Sequence, residues 1–168
     1  MSTITKYAIT LLFSLYSFTV TSQEYLVGGA GIFNFQTESI GFGIRGEVAF
    51  DRFSIAPQFN YFPGFNKINE YYLGVSGHYN LVNASTWKLY AIANLGYNRW
   101  INNSSAPIGE GQKSNVAFEL GGGAATNGIL NPFIEYRYNV KWRETMLHVG
   151  LLYYLGGGQG GYSCQTYQ

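Results

Sequence analysis

The chain alternates between two kinds of position over most of its length. In residues 40–51, every second residue from Ile40 to Phe50 is apolar or glycine, and those between them are glycine, alanine or charged. Strict period-two alternation over this length predicts a β-strand with two different faces. Arg45 and Glu47 fall on the same face of this strand, so we expect ions to pair on that side.

Eight such segments follow one another, each about ten residues long, which is the length that crosses a bilayer at a tilt. Asn127-Gly128 is a strong hairpin dipeptide, and Pro57 predicts a bulge or a locally unpaired point. We therefore predict an all-β fold, an eight-stranded antiparallel up-and-down barrel. The predicted strands cover about 25–35, 40–51, 53–61, 71–81, 87–98, 115–124, 134–142 and 146–155.

The composition indicates which face of the barrel points outward. Charged residues make up 11% of the chain, whereas soluble domains average about a quarter. The polar face is mostly glycine, serine, asparagine and alanine, which fits the crowded lumen of an eight-stranded barrel. The large apolar face suits lipid, so the pattern favours a transmembrane β-barrel. The alternative is a secreted, soluble lipocalin-like barrel that binds a small apolar ligand.

Aromatic side chains gather near the predicted strand ends, as expected for belts at the two interfaces of a bilayer. The sequence therefore predicts an aromatic girdle at each rim of the barrel. One rim would hold Phe50, Phe53, Tyr79 and Trp87, and the other Tyr61, Tyr71, Tyr97, Trp100 and Trp142.

The first 22 residues carry the features of a secretory signal peptide. Lys6 precedes an apolar core, and Thr21 and Ser22 are small residues at the expected cleavage site. We expect a signal peptide at 1–22, a barrel at 23–155 and a glycine-rich tail at 156–168. An even number of strands then places both chain ends in the periplasm and the longest loop outside. The single Cys164 excludes an intramolecular disulfide framework.

Several charged residues fall near mid-strand on the polar face, and these are the candidate site. Because isolated buried charges are costly, we expect them to pair and plug the lumen. A gated ion path is the alternative, and an open pore is disfavoured because eight strands leave little free lumen. The predicted lumen network consists of Arg45, Glu47, Glu119, Glu135, Arg137 and His148.

Other chemistry has little support in the sequence. A barrel-type lipid hydrolase would hold its catalytic histidine and serine on the lipid face, whereas His78 and Ser76 fall on the inward face. There is no Cys/His metal spacing, and no glycine run precedes a phosphate-binding helix. We therefore expect no catalytic residue, metal or cofactor, and keep an outer-membrane lipid-modifying enzyme as a third hypothesis. Without Lys6, nine basic residues balance nine acidic ones, which argues against a nucleic-acid partner.

Segments such as GFGIRGEVAF and NPFIEYRYNV resemble the small eight-stranded outer-membrane barrels of Gram-negative bacteria, like the OmpA transmembrane domain and OmpX. The resemblance covers about residues 25–155. It implies a location in the bacterial outer membrane, contact with its lipid, and a structural or surface-interaction role. It also implies insertion by the barrel assembly machinery, for which Tyr153-Tyr154-Leu155 resembles the last-strand recognition sequence, although thirteen residues follow here. An extracellular ligand would bind the loop that begins with Ile101 and ends with Ser114.

Overall fold

The computed structural model describes residues 23–63, 68–102 and 114–157, and these form a closed antiparallel barrel. Neighbours in sequence are neighbours in space, and the last strand pairs with the first. The predicted eight-stranded up-and-down fold is confirmed. Its strands are β1 (Glu24–Asn34), β2 (Ser39–Ala49), β3 (Phe53–Phe62), β4 (Ile68–Asn83), β5 (Trp87–Asn102), β6 (Ser114–Thr126), β7 (Leu130–Asn139) and β8 (Glu144–Gly157).

Strand lengths differ from the sequence-based expectation at several ends. β4 and β5 are 16 residues each, longer than expected, whereas β7 ends at Asn139 rather than at Trp142. β8 continues to Gly157, two residues beyond the expected end of the barrel. In the described ranges, no helix is long and apolar enough to cross a membrane. The expected signal peptide (1–22), residues 103–113 of the long loop and residues 158–168 of the tail lie outside the described residues.

β7 ends early because the side chain of its last residue hydrogen-bonds to the backbone that follows. The same kind of contact forms the β1–β2 turn. Asn139 Oδ1 accepts the backbone N–H of Lys141 at 3.1 Å and that of Trp142 at 3.2 Å. Asn34 Oδ1 likewise accepts the N–H groups two and three residues on, at 3.0 and 3.3 Å. Each turn closes with a left-handed residue four positions after the asparagine, Glu38 at φ 49° and Arg143 at φ 56°. An asparagine that bonds its own downstream backbone thus ends both strands.

The apolar face of each strand points outward and the polar face points into the lumen, as the composition indicated. Apolar side chains cover the outside, and several in the middle of strands are well exposed, such as Ile44 at 66% and Leu95 at 60%. The charged and amide side chains point into the lumen, where Glu135 and Arg137 have no exposed surface. The barrel is therefore apolar outside and polar inside, the reverse of a soluble barrel.

The ladder between β2 and β3 is interrupted beside Pro57. Pairing passes from Arg45 opposite Gln58 to Val48 opposite Ile55, and the residues between them are not paired in this ladder. Gly46 faces the proline ring across this gap. Because proline has no N–H to donate, the interruption lies where the sequence predicted a bulge or an unpaired point.

The lumen is filled in layers. At the end where β1 begins, a cluster built from seven buried residues includes Leu26, Phe133 and Leu152. At the other end, Ile32, Phe62 and Met146 form a second apolar cluster. Along β7, Glu135 and Arg137 follow Phe133, so the charged residues lie between the two apolar clusters. This arrangement positions the candidate site at mid-barrel.

Candidate functional site

Glu135 is the centre of the buried ionic network. Its Oε1 lies 2.6 Å from Arg45 Nη1, and its Oε2 lies 2.5 Å from Arg137 Nη2. Arg137 Nε also donates to Oε2 at 3.0 Å, and the hydroxyl of Tyr90 donates to Oε1 at 2.9 Å. Two arginines therefore share one carboxylate. The guanidinium of Arg45 also lies 4.1 Å from the centre of the Phe133 ring.

A second carboxylate, Glu47, extends the network toward the β1-start end of the lumen. Its carboxylate lies 3.6 Å from Arg45 Nη2 and 3.6 Å from Lys88 Nζ. Ser54 Oγ donates to it at 2.8 Å, and His78 Nδ1 lies 3.8 Å away. Glu47 is thereby surrounded by two cations and two polar groups, which come from β2, β3, β4 and β5.

The opposite side of Arg137 faces Glu119 and a set of neutral polar groups. Arg137 Nη1 lies 3.7 Å from Glu119 Oε2 and donates to Gln58 Oε1 at 3.1 Å. Asn94 Nδ2 donates to Glu119 Oε2 at 2.8 Å and to the Tyr72 hydroxyl at 2.6 Å. Glu119 is therefore held mainly by an amide, with the guanidinium of Arg137 at the limit of ion-pair distance.

The structure brings together five of the six predicted lumen residues. His148 is buried and lies opposite Glu135 in the β7–β8 ladder, but within the described residues it makes no ion pair, and its Nε2 has no hydrogen-bond partner. Lys88 and His78 also take part in these ion pairs, although the sequence-based prediction of the lumen network did not include them. Lys88 has the inward parity of β5, but it lies near the start of the strand, whereas the predicted network was restricted to residues near mid-strand.

The ion pairs of the described lumen residues balance in charge. They join three permanent cations, Arg45, Lys88 and Arg137, to three carboxylates. Serine, glutamine, asparagine and tyrosine side chains also hydrogen-bond within this network, while the buried Arg45 Nε has no hydrogen-bond partner among the described residues. A neutral, hydrogen-bonded cluster is what allows charges to be buried in a closed lumen without prohibitive cost.

Glycines on the lumen face make room for these side chains. Gly123 lies against Glu135 and the Tyr90 ring, and the Tyr72 ring lies across Gly96. A methyl group at Gly121 would clash with the carbonyl oxygen of Tyr136 and lie 3.0 Å from Arg137 Cα. The small residues of the polar face are thus sites where a large side chain or a neighbouring backbone approaches closely.

The run Gly121-Gly122-Gly123 gives a matched test of this close packing. Gly121→Ala should destabilise the barrel by about 1–3 kcal/mol, because the adjacent backbone cannot move aside easily. Gly122→Ala should be neutral, since its methyl would point outward and lie 3.5 Å from the nearest atom, the carbonyl oxygen of Tyr90. Urea unfolding of both variants in lipid vesicles measures the difference. Equal stability of the two variants would contradict close packing at Gly121.

Ser54, His78 and Glu47 lie close together, but not as a catalytic triad. Ser54 Oγ lies 3.3 Å from His78 Nδ1, and Glu47 approaches the same nitrogen. A triad needs the serine on one ring nitrogen and the acid on the other, whereas His78 Nε2 has no partner here. All three side chains are buried in the lumen. In the described part of the chain, no group of three or more His, Cys, Asp or Glu side chains is arranged to hold a metal.

Most of the predicted aromatic girdle lies on the outer face. Phe53, Tyr79, Trp87 and Tyr97 are exposed. Phe53 lies opposite Tyr79 in the β3–β4 ladder and stacks on Phe50 with ring centres 4.5 Å apart. At the other rim, Tyr61 lies opposite Tyr71 in the same ladder, and the Phe42 and Tyr61 ring centres are 5.5 Å apart.

Trp100 and Trp142 differ from the rest of the predicted girdle. Trp100 follows the inward parity of β5 and pairs with Glu70, an inward-facing position on β4. Trp142 lies in the β7–β8 turn, and the two indole rings are 5.5 Å apart. These two side chains therefore pack together at the mouth of the barrel. The same mouth holds Glu70, which accepts a hydrogen bond from Asn98, and Glu144, which accepts one from Asn34.

Comparison with known proteins extends this description of the fold. No protein-family model and no curated protein sequence matches the chain. Among solved structures, Neisserial surface protein A matches with a TM-score of 0.55 at 14% identity, covering 78% of this chain and 93% of that one. The N-terminal β-barrel domain of Pseudomonas aeruginosa OprF matches at 0.54 and 11% identity, covering 79% and 98%.

The Yersinia pestis outer membrane protein Ail, in a phospholipid bilayer nanodisc, matches with a TM-score of 0.51 at 14% identity, covering 79% of this chain and 99% of that one. The fold is that of the small outer-membrane β-barrels. The predicted resemblance is confirmed at this level. Because the identities are between 11% and 14%, these matches show the fold alone.

Proposed function

We propose that the chain is an integral outer-membrane β-barrel with a structural or surface-interaction role and a lumen plugged by polar and ionic side chains. The observation that carries the proposal is the continuous apolar outer surface. Among the charged residues of the described strands, only Arg99 follows the outward parity of its strand. An outer surface of this kind is stable in hydrocarbon and would promote aggregation in water.

The layered lumen supports the plugged state. Ions that entered would have to pass an apolar cluster at each end and break the pairs around Glu135. A buried, charge-balanced network also holds neighbouring strands together without relying on an apolar core. These features favour a structural plug over a gated ion path.

The lipocalin-like binding protein and the lipid-modifying enzyme would each need apolar or polar side chains on the opposite face from where this barrel holds them. A lipocalin-like barrel holds its apolar ligand in an apolar lumen, whereas this lumen is centred on Glu135 and Arg137. A lipid-modifying enzyme of the kind considered above would hold its serine and histidine on the lipid face, whereas Ser76 and His78 are buried inside. Any contact with an outside partner then has to involve the turns and loops at the rim.

Extraction of membranes with alkaline carbonate tests the proposal. The mature chain should remain in the membrane pellet and fractionate with the outer membrane, because its apolar surface needs lipid or detergent. A peripheral protein of the same preparation serves as the control that is released. Release of the folded chain into the soluble fraction would contradict the proposal and favour the soluble barrel.

A further inference from the structure

Two carboxylates at the barrel mouth that holds the packed tryptophans have no cation within ion-pair distance. Glu70 on β4 and Glu144 on β8 are both half-buried, and they lie close enough for their charges to repel. Among the described residues neither forms an ion pair, unlike the three carboxylates of the lumen network. Lys141, at the same rim, donates instead to two neutral oxygens of β6, at 3.1 and 3.4 Å. The mouth is therefore a place where a positive charge would be stabilised.

Asn98 gives an independent indication of what this mouth can bind. Its side chain is only 4% exposed, and its Nδ2 donates to Glu70 Oε1. The oxygen of the same amide, Oδ1, is buried and has no hydrogen-bond partner among the described residues. Because Oδ1 and Nδ2 are attached to one carbon, this acceptor lies next to the Glu70 carboxylate. A buried acceptor without a donor is costly, so a ligand that carries N–H groups would be stabilised here.

Two indole rings lie beside these oxygens. Trp100 lies opposite Glu70 in the β4–β5 ladder, and its indole N–H interacts with that carboxylate. The ring centres of Trp100 and Trp142 are 5.5 Å apart, and both side chains remain partly exposed at the mouth. The face of an indole ring attracts a cation within about 6 Å. Carboxylates, an amide oxygen and indole rings together suit an ammonium group, which supplies both a positive charge and N–H donors.

We propose that this mouth is a binding site for an aliphatic amine cation of the linear polyamine type. One ammonium group would pair with Glu70 and donate to Asn98 Oδ1, while the rings of Trp100 and Trp142 contact its charge and its methylene chain. Glu144 adds a second negative charge, which favours amines that carry more than one ammonium group. The site gives the proposed surface-interaction role a ligand class, and it rests on the proposed outer-membrane location for access from outside the cell.

A bare metal ion fits these side chains less well than an amine does. Ca²⁺ and Mg²⁺ need several oxygen atoms that converge at about 2.0–2.6 Å from one point. In the described ranges, no three acidic or histidine side chains converge in this way. The indole rings, which cannot ligate such an ion, have a role only with an organic cation.

Calorimetric titration with cadaverine of the mature chain, folded in zwitterionic detergent micelles, tests the site. The diamine should bind, whereas the uncharged pentanediol of the same chain length should not. Glu70→Gln and Glu144→Gln should each weaken binding of the diamine about fivefold, and the double variant should lose both contributions. Glu38→Gln is the matched control and should bind like the wild type, because it removes an exposed carboxylate from the β1–β2 turn at the same rim but outside the mouth.

Trp142→Leu separates ring contact from simple attraction of charge, since it should weaken binding about threefold without changing the net charge. The migration shift between unheated and boiled samples on gels verifies that each variant is folded. Equal binding of the diol, unchanged binding by the Glu70/Glu144 double variant, or an equal loss in Glu38→Gln would overturn the inference. Complete displacement of the diamine by Mg²⁺ at matched ionic strength would overturn it too, because it would indicate a site for any cation.

Failure of this inference and failure of the proposed function give different results. A chain that stays in the carbonate-washed membrane but does not bind the diamine would contradict the amine site alone. Release of the chain by carbonate would contradict the outer-membrane barrel itself.

Discussion

Leu120→Arg should prevent stable insertion of the barrel. Leu120 is the central residue of β6, and its side chain is 47% exposed on the outer face. An arginine at the bilayer midplane of a transmembrane barrel costs about 2–4 kcal/mol. We expect most of the variant to stay unfolded in vesicles under conditions in which the wild type folds. The shift in migration between unheated and boiled samples on gel electrophoresis measures the folded fraction.

Ile129→Arg is the matched control for this prediction. Ile129 is also apolar and exposed, at 67%, but it lies in the turn between β6 and β7. Because the cost of a charge falls to about 0–1 kcal/mol near the interface, this variant should fold like the wild type. If both arginines were tolerated equally, the apolar outer face would not be in contact with hydrocarbon.

Arg137→Met should destabilise the barrel by about 3–5 kcal/mol. The substitution keeps a long side chain but leaves Glu119 without its cation and Glu135 with Arg45 alone. The network would then hold one more carboxylate than cation in a place that water does not reach. Equilibrium unfolding in urea, in vesicles of fixed composition, measures the loss.

A second substitution should recover part of this loss, and the structure shows which one. Arg137→Met with Glu119→Gln leaves two cations and two carboxylates, with Arg45 still paired to Glu135. Arg137→Met with Glu135→Gln also balances in number, but leaves Glu119 without a cation within ion-pair distance. The Glu119→Gln combination should therefore be the more stable double variant. Strictly additive effects in both cycles would mean that these side chains line water instead.

The strands and their faces were accessible to sequence reasoning because their pattern is strictly periodic. The alternation around Arg45 and Glu47 places both side chains inside, and composition alone indicates that the apolar face is outside. The ends of the strands were harder to predict. β7 stops at Asn139 because its side chain bonds two downstream N–H groups, a local contact that competes with the alternation of residues 134–142.

The sequence allowed most of the charged residues of the lumen to be predicted, but not which of them form ion pairs with each other. Nothing in the sequence indicates that Glu135 receives both arginines, because this depends on the stagger of strands far apart in the chain. Neutral members such as Asn94 and Tyr72 resemble any other small or aromatic lumen residue. Trp100 is a different case, since the parity of β5 already placed it inward, and grouping it with the outer girdle followed its residue type rather than its position.

The most direct test of the outward-facing apolar surface is the environment of spin labels on the barrel in lipid vesicles. With Cys164 replaced by serine, single cysteines at Ile44, Leu95, Leu120 and Ile129 would carry the labels. Relaxation by oxygen, which concentrates in hydrocarbon, should exceed relaxation by a water-soluble nickel complex at the three strand positions. The order should reverse at Ile129 in the turn. Strong nickel relaxation at Leu95 and Leu120 would contradict a barrel that spans a membrane with its apolar face in lipid.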